Sequence, residues 1–244
     1  MNNVRTIHSP LPALLFRNCP DCCFTGWSQR ARLSENEFRS FDDQIEHRRL
    51  KKKHEFVHRA GTALVSLYVI NSGFLKASIN DNNGHEQITG FFMPGDLVGM
   101  EAIATGKHQC NTTAIEDSSL CGIVFASLEL LNREIPSLQH DFNQTLGAEI
   151  NRDHGMMLLL GAMCAEERAA MFLLNLSRRF AIRGRSGTCF HLPMTRQEIG
   201  NYLGLTLETI SRAFSHLGDL GFIVTRGKDI EIRDAARLQQ VIQH

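Results

Sequence analysis

Residues 194–218 read MTRQEIGNYLGLTLETISRAFSHLG, and this stretch restricts the fold more than any other. Thr195 with Glu198 three residues on is a capping box, which opens a helix of about nine residues. Ile199 and Leu203 recur at helical spacing and face inward. Gly204 supplies the tight turn, where a left-handed backbone is cheap only for glycine. Thr206 caps a second helix, and Ile210, Phe214 and Leu217 form its buried stripe. A capped helix, a glycine turn and a second capped helix make a helix-turn-helix. The exposed face near the start of the second helix carries Glu208, Thr209, Ser211 and Arg212, the positions that a recognition helix offers to the major groove. Arginine can bind guanine O6 and N7 in bidentate fashion, and glutamate can accept from cytosine N4. The plainer alternative for Glu208 and Arg212, four residues apart, is a surface ion pair. Next, FIVTRGKDIEI (222–232) predicts a hairpin with Gly227 in its turn. Arg226 and Lys228 flank the tip, where the wing of a winged helix touches backbone phosphate.

The remainder of the chain changes texture twice. Apolar stretches LVSLYVI (64–70), GFLKASI (73–79), QITGFFM (87–93) and LCGIVF (120–125) are separated by turn signals, including Asn71-Ser72-Gly73 and Pro94-Gly95-Asp96. Short strands at that spacing predict an antiparallel sandwich or barrel. Ahead of them, SENEFRSFDDQIEH (34–47) predicts a short helix capped by Ser34 and Glu37. The basic run RRLKKKH (48–54) reads as a solvated turn before a strand, with non-specific attraction to DNA as the alternative. After the sandwich, Pro136 precedes a long helix for which Ser137 is the candidate cap. Its seam runs Leu146, Ile150, Asp153, Met157, Leu160, Cys164, alternating steps of four and three as a coiled coil does. The run 156–160 (MMLLL) is richer in apolar residues than one helix face needs. A partner helix explains this, and packing on the chain's own sandwich is the alternative. On a two-fold seam Asp153 faces its own copy, which weakens pairing. A further helix over about 165–183 is stopped by Gly184. It ends in Arg178, Arg179 and Arg183, with Arg185 beyond; these suit the helix dipole or a phosphate.

Composition bears on partners. Of the 244 residues, 43% are hydrophobic and 21% charged, which excludes a disordered chain, a collagen-like repeat and a disulfide mini-protein. No apolar run reaches the roughly 18–20 residues that span a bilayer, and the start has no secretory core, so a cytoplasmic protein with no membrane partner is expected. The formal net charge of zero is unevenly spread. Residues 54–150 carry four Lys/Arg against eleven Asp/Glu, and residues 166–244 carry eleven against eight. That spread makes the middle repel nucleic acid and the C-terminal third tolerate it, with ordinary scatter of charge as the plainer alternative. No phosphate-cradling glycine loop, no G-x-S-x-G element and no H-x-x-E-H spacing among the eleven histidines points to an enzyme.

Together, EQITGFFMPGDLVGMEAI (86–103), MMLLL (156–160), AEERAAMFLLNLSRRFAIRG (165–184) and MTRQEIGNYLGLTLETISR (194–212) resemble the cyclic-AMP receptor/FNR superfamily of bacterial transcription regulators. The closer likeness is to its FNR (fumarate and nitrate reduction regulator) branch, over nearly the whole chain. The implied fold is α+β: a cysteine-containing head (1–30), an antiparallel β-sandwich or jelly roll like a cyclic-nucleotide-binding domain (31–135), a dimerisation helix (136–162), and a C-terminal winged helix-turn-helix (163–244). The resemblance matches Glu208, Ser211 and Arg212 to base-reading residues. It implies a homodimer on double-stranded DNA with TTGAT-type half-sites, and RNA polymerase as a partner. Thr209, Thr195, Arg196, Arg226 and Lys228 complete the DNA-contacting candidates. It matches Asp153 to an interface acid that keeps the uninduced protein monomeric, within an interface that includes Ile150, Met157 and Leu160. Cyclic nucleotide is not expected: residues 99–114 (GMEAIATGKHQCNTTA) contain Glu101 but no arginine to pair with a buried phosphate.

Seven cysteines, an odd number, point to free thiols, a metal or a cluster in a reducing compartment. The resemblance implies a [4Fe–4S] cluster, for which Cys19 and Cys22 match the first pair of ligands and Cys121 the distant one. Ser28 stands where the family has its third cysteine, and a serine oxygen replaces a thiolate poorly. Cys23 and Cys110 are the possible substitutes. A thiol redox sensor or a zinc site on the same cysteines stays open. Cys110, Cys164 and Cys189 are otherwise expected to be small buried apolar residues.

Overall fold

The computed structural model describes residues 33–81 and 83–243. The chain enters through α1 (Glu35–Asp42), where Ser34 Oγ accepts from the Glu37 amide and the Glu37 carboxylate accepts from the Ser34 amide at 2.7 Å. The helix expected over 34–47 stops at Asp42, and Ile45–Lys51 form strand β1. The local pattern there suits either element. Pairing decides, because Ile45 is buried opposite Ile123 of a neighbouring strand. The basic run is therefore largely strand rather than turn. It lies at the edge of its sheet, where charged side chains guard against pairing with another molecule.

Next come β2 (Phe56–His58), β3 (Ser66–Ser72), β4 (Leu75–Asn80), β5 (Glu86–Phe92), β6 (Leu97–Val98), β7 (Asn111–Ala114) and β8 (Ser118–Val124). They form two antiparallel four-stranded sheets, β1-β8-β3-β6 and β2-β7-β4-β5. Tyr68, Ile70, Leu75, Val98, Ala114 and Leu120 pack between them. The period-two alternation of β3 and β8 puts Leu67, Val69, Cys121 and Ile123 on the other face, under helices. Both faces of β3 are thus covered, which is why it reads as a nearly continuous apolar run. Between β3 and β4, Gly73 has φ +86°, and a side chain there would collide with the backbone of Ser118.

Two helices follow, α2 (Phe125–Glu134) and α3 (Pro136–Ala162). Pro136 occupies the first helical position after Ile135, so Ser137 lies inside α3 and is not its cap. The first turns of α3 bury Leu138 and Phe142 on the sandwich. Farther along, Met156 and Leu159 pack on the chain itself, while Ile150, Met157, Leu158 and Leu160 are 55, 69, 60 and 40% exposed. Helix α4 (Ala165–Ile182) leads to β9 (Cys189–His191), α5 (Arg196–Leu203), α6 (Leu207–Asp219), the hairpin β10 (Ile223–Arg226) and β11 (Asp229–Ile232), and α7 (Ala235–Gln240). Strands β10-β11-β9 form one small sheet. The family's architecture, a strand sandwich followed by a C-terminal helix-turn-helix, is present as the sequence resemblance implied.

Cys164 and Cys189 are exposed rather than buried. Cys164 sits just before α4, where its backbone N–H donates to the Glu167 carboxylate at 2.6 Å, and Cys189 lies on the open edge of a three-residue strand. Neither position has core around it. Cys110 and Cys121 are buried.

Candidate nucleic-acid interface

Helix α5 starts as the sequence predicts: Thr195 Oγ1 accepts from the Glu198 amide at 3.1 Å, and the Glu198 carboxylate accepts from the Thr195 amide at 2.8 Å. Burial acts to raise the Glu198 carboxyl, but bonds from the Thr195 amide and hydroxyl, with the nearby Lys76 ammonium, hold it below the usual range. Gly204 closes the helix at φ 64°, ψ 36°. Gly200 has a role the pattern did not show. A Cβ there would lie 2.9 Å from the Leu205 carbonyl oxygen, so its missing side chain lets α5 and α6 cross closely. Thr206 Oγ1 then accepts from the Thr209 amide at 3.1 Å and starts α6. Ile210, Ala213, Phe214 and Leu217 of α6 are buried, so the opposite face is turned outward.

On that outward face Arg212 and Glu208 form an ion pair at 2.8 Å, with side chains 73 and 77% exposed. The surface ion pair is therefore present, and both of its members face water. Ser211 donates its hydroxyl to the Leu207 carbonyl at 2.7 Å, and Thr209 shares its hydroxyl with Thr206 at 2.8 Å. Arg226 is exposed on the hairpin. Lys228 is exposed too, but its ammonium donates to the Pro193 carbonyl and ties the hairpin to the segment before α5. Arg196 lies with its guanidinium carbon 3.9 Å from the centre of the Phe214 ring and within 3.5 Å of the Gly227 carbonyl. Burial pushes its pKa down to about 10. Arg196, the hairpin tip and the start of α5 thus meet at one end of the motif, with α6 beside them.

Two linkages to the sandwich were not legible in advance. Arg179 and Arg183 were candidates for a phosphate, but both turn inward onto Asp96, a buried carboxylate in the Pro94-Gly95-Asp96 turn. Arg183 Nε also donates to the Pro94 carbonyl at 2.6 Å, and Arg179 to the Phe91 carbonyl at 3.2 Å. Asn201 of α5 completes the open edge of β5. Its side chain accepts from the Ile88 amide at 2.6 Å and donates to the Glu86 carbonyl at 2.7 Å, while its own carbonyl accepts from Gln87 at 2.7 Å. An unpaired sheet edge invites such a partner. A single asparagine or aspartate gives no sequence signal for either.

Of the proposed cluster ligands, Cys19, Cys22 and Cys23, and with them Ser28, lie outside the described residues. Cys121 is buried on β8 opposite Val69. It shares a core with Leu33, the first described residue.

A sandwich joined to a capped helix-turn-helix with a β-hairpin wing defines a DNA-binding transcription regulator. Residues 167–241 match the model of the Crp-like helix-turn-helix domain, and residues 48–131 that of the cyclic nucleotide-binding domain. The chain is 42% identical over 227 residues to the fumarate and nitrate reduction regulatory protein of Escherichia coli, covering 93% of this chain and 91% of that one. It is 37% identical to the transcriptional regulatory protein btr of Bordetella pertussis, over 92% of this chain and 93% of the other. Among solved structures, FixK2 from Bradyrhizobium japonicum superimposes with a TM-score of 0.72 at 33% identity, covering 80% of this chain and 96% of that chain. The chain belongs to the FNR branch of the cyclic-AMP receptor/FNR family of transcription regulators. Among the described residues no helix is long and apolar enough to cross a membrane.

Proposed function

We propose that this regulator acts as a redox- or oxygen-responsive homodimer that reads a palindromic TTGAT-type site through Glu208, Ser211 and Arg212. The observation that carries the reading is the outward face of α6, where a guanidinium and a carboxylate stand exposed on a helix whose other face is fully buried. Thr209 adjoins them, and Thr195, Arg196, Arg226 and Lys228 supply the phosphate side of the interface. The division into a head (1–30), sandwich (31–135), dimerisation helix (136–162) and DNA-binding domain (163–244) belongs to the same reading, as does RNA polymerase as the partner once the dimer is on DNA.

The dimer forms along α3. Ile150, Met157 and Leu160 leave an apolar stripe in water, and a second copy of the same stripe covers it. Asp153, exposed on that stripe, is the brake. Sedimentation in air checks this: Asp153→Ala raises the dimer fraction, and an unchanged monomer–dimer balance removes the brake.

A [4Fe–4S] cluster suits the one described ligand, since Cys121 offers a shielded thiol in the core that Leu33 also enters. Cys19, Cys22 and Cys23 are the partners assigned to it, with Cys23 standing in for the missing cysteine at Ser28. When bound, such a cluster supplies an oxygen-labile redox centre. A cluster-free, thiol-switched regulator is the second reading, favoured by the serine at position 28. An anaerobic absorbance spectrum with iron and sulfide analysis separates the two: a brown protein with about four irons supports the first, and a colourless one the second.

The sandwich is not assigned a cyclic nucleotide. Arg152 is the arginine that reaches the cavity beside Glu101, and it is engaged by Glu149 at 2.8 Å. Micromolar binding of cyclic AMP by calorimetry would overturn this.

A further inference from the structure

Three chemistry-bearing side chains that the DNA-binding reading leaves unused meet at one end of the sandwich. His58 is the last residue of β2, Glu101 lies in the short 3-10 turn Met100–Ala102, and His108 lies in the segment leading to β7. His108 Nδ1 is 2.8 Å from Glu101 Oε1, and His58 Nε2 is 3.3 Å from the same oxygen. The two imidazoles stack at 3.6 Å with 10° between their planes. All three potential ligand atoms lie within 4.8 Å of one another. We propose that His58, Glu101 and His108 form a binding site for a divalent transition cation of the zinc class.

Burial and hydrogen bonding carry the inference. The side chains of His58 and His108 are only 5 and 3% exposed, and that of Glu101 is 30%. His58 Nε2 faces the Glu101 carboxylate at 3.3 Å, while its Nδ1 is buried with no hydrogen-bond partner. A buried imidazole nitrogen left unsatisfied is unfavourable unless something else engages it. A metal ion takes a lone pair from each imidazole and an oxygen from the carboxylate, and two histidines with a glutamate form a donor set that zinc uses. The backbone holds the ligands in place. His58 sits on a strand paired to Thr112, the His108 amide donates to the Thr62 carbonyl at 2.9 Å, and its carbonyl accepts from Gly61 at 2.8 Å. For both lone pairs to converge on one ion at about 2.0–2.1 Å, the stacked rings splay by rotation of one imidazole.

Three protein ligands leave a position open. Glu101 also lines a cavity of ≈ 170 Å³ whose far wall is α3, with Glu149, Arg152 and Asp153. An ion on Glu101 thus sits at the sandwich end of the space that reaches the proposed dimer helix. The donor set contains none of the head cysteines and no residue of the recognition helix, so it is tested apart from the proposed cluster.

The test uses the full-length chain carrying Cys19→Ser, Cys22→Ser and Cys23→Ser, because head thiolates compete for the same ions. Calorimetry of the metal-stripped protein with Zn²⁺ is expected to show one saturable site per chain, accompanied by a Zn²⁺-dependent rise in melting temperature. His108→Gln and Glu101→Gln each weaken binding by more than about a hundredfold, exceeding the roughly 10–100-fold effect of losing an outer-shell partner, and each abolishes the thermal shift. Co²⁺ in place of Zn²⁺ gives ligand-field bands without thiolate charge transfer. Should His108→Gln fold poorly, Glu101→Gln, at a partly exposed position, carries the test. Absence of a saturable site, thiolate charge transfer with Co²⁺, or binding that Glu101→Gln leaves unchanged would each overturn the proposal.

Discussion

Asp96 and Glu208 both hold arginine, in opposite surroundings. The Asp96 side chain is 5% exposed and grips Arg179 and Arg183, whose side chains are 12 and 25% exposed. Glu208 and Arg212 are 77 and 73% exposed. The first group joins the sandwich turn to α4, and the second stands on the outer face of α6. Removing one member of a buried ion group strands the other charges away from water. Opening an exposed pair leaves both charges hydrated. An arginine can therefore be structural or available for a ligand, and burial of its partner decides which.

The largest effect expected from this contrast is at Asp96. Asp96→Ala should lower stability by about 3–5 kcal/mol, the usual loss on breaking a buried ion pair, and it also removes the acceptor for the Met93 amide. Urea unfolding measures it. A loss below about 1 kcal/mol, the range of exposed pairs, would erase the distinction drawn here. Arg212→Ala comes next and is the reverse case. It should leave folding almost unchanged while weakening specific duplex binding by roughly 1–3 kcal/mol and relaxing the choice at one guanine. Equal weakening on all sequences would make Arg212 a phosphate contact instead.

The same contrast explains what could be read in advance. The helix-turn-helix was legible almost to the residue, because Thr195, Glu198, Gly204 and Thr206 act through bonds spanning three or four residues. Strands β3, β4, β5 and β8 are recovered from their apolar runs, with ends displaced by a residue or two, whereas the short β2, β6, β7 and β9 leave no such run. Failures came where distant partners decide. Ile45 became strand because Ile123 pairs with it, and Arg179 and Arg183 turned inward because of a single aspartate more than eighty residues earlier. His58 and His108 are fifty positions apart, and their approach depends on how β2 and the segment before β7 lie side by side. Local chemistry leaves a pattern in sequence, whereas a contact closed by topology does not.

The smallest expected effect gives the sharpest check. Glu208→Ala removes an ion pair drawn at 2.8 Å, yet thermal or urea unfolding should move by no more than about 0.5 kcal/mol, as for other i,i+4 pairs. Its effect should appear on DNA. With the carboxylate gone, the base pair assigned to Glu208 in the proposed reading should lose its preference for cytosine, while the one assigned to Arg212 should keep its guanine. A selection over randomised half-sites resolves the two positions separately. If Glu208→Ala destabilises the fold as strongly as Asp96→Ala, the outward face of α6 is a structural surface, and exposure of a charged pair no longer distinguishes a reading residue from a strut.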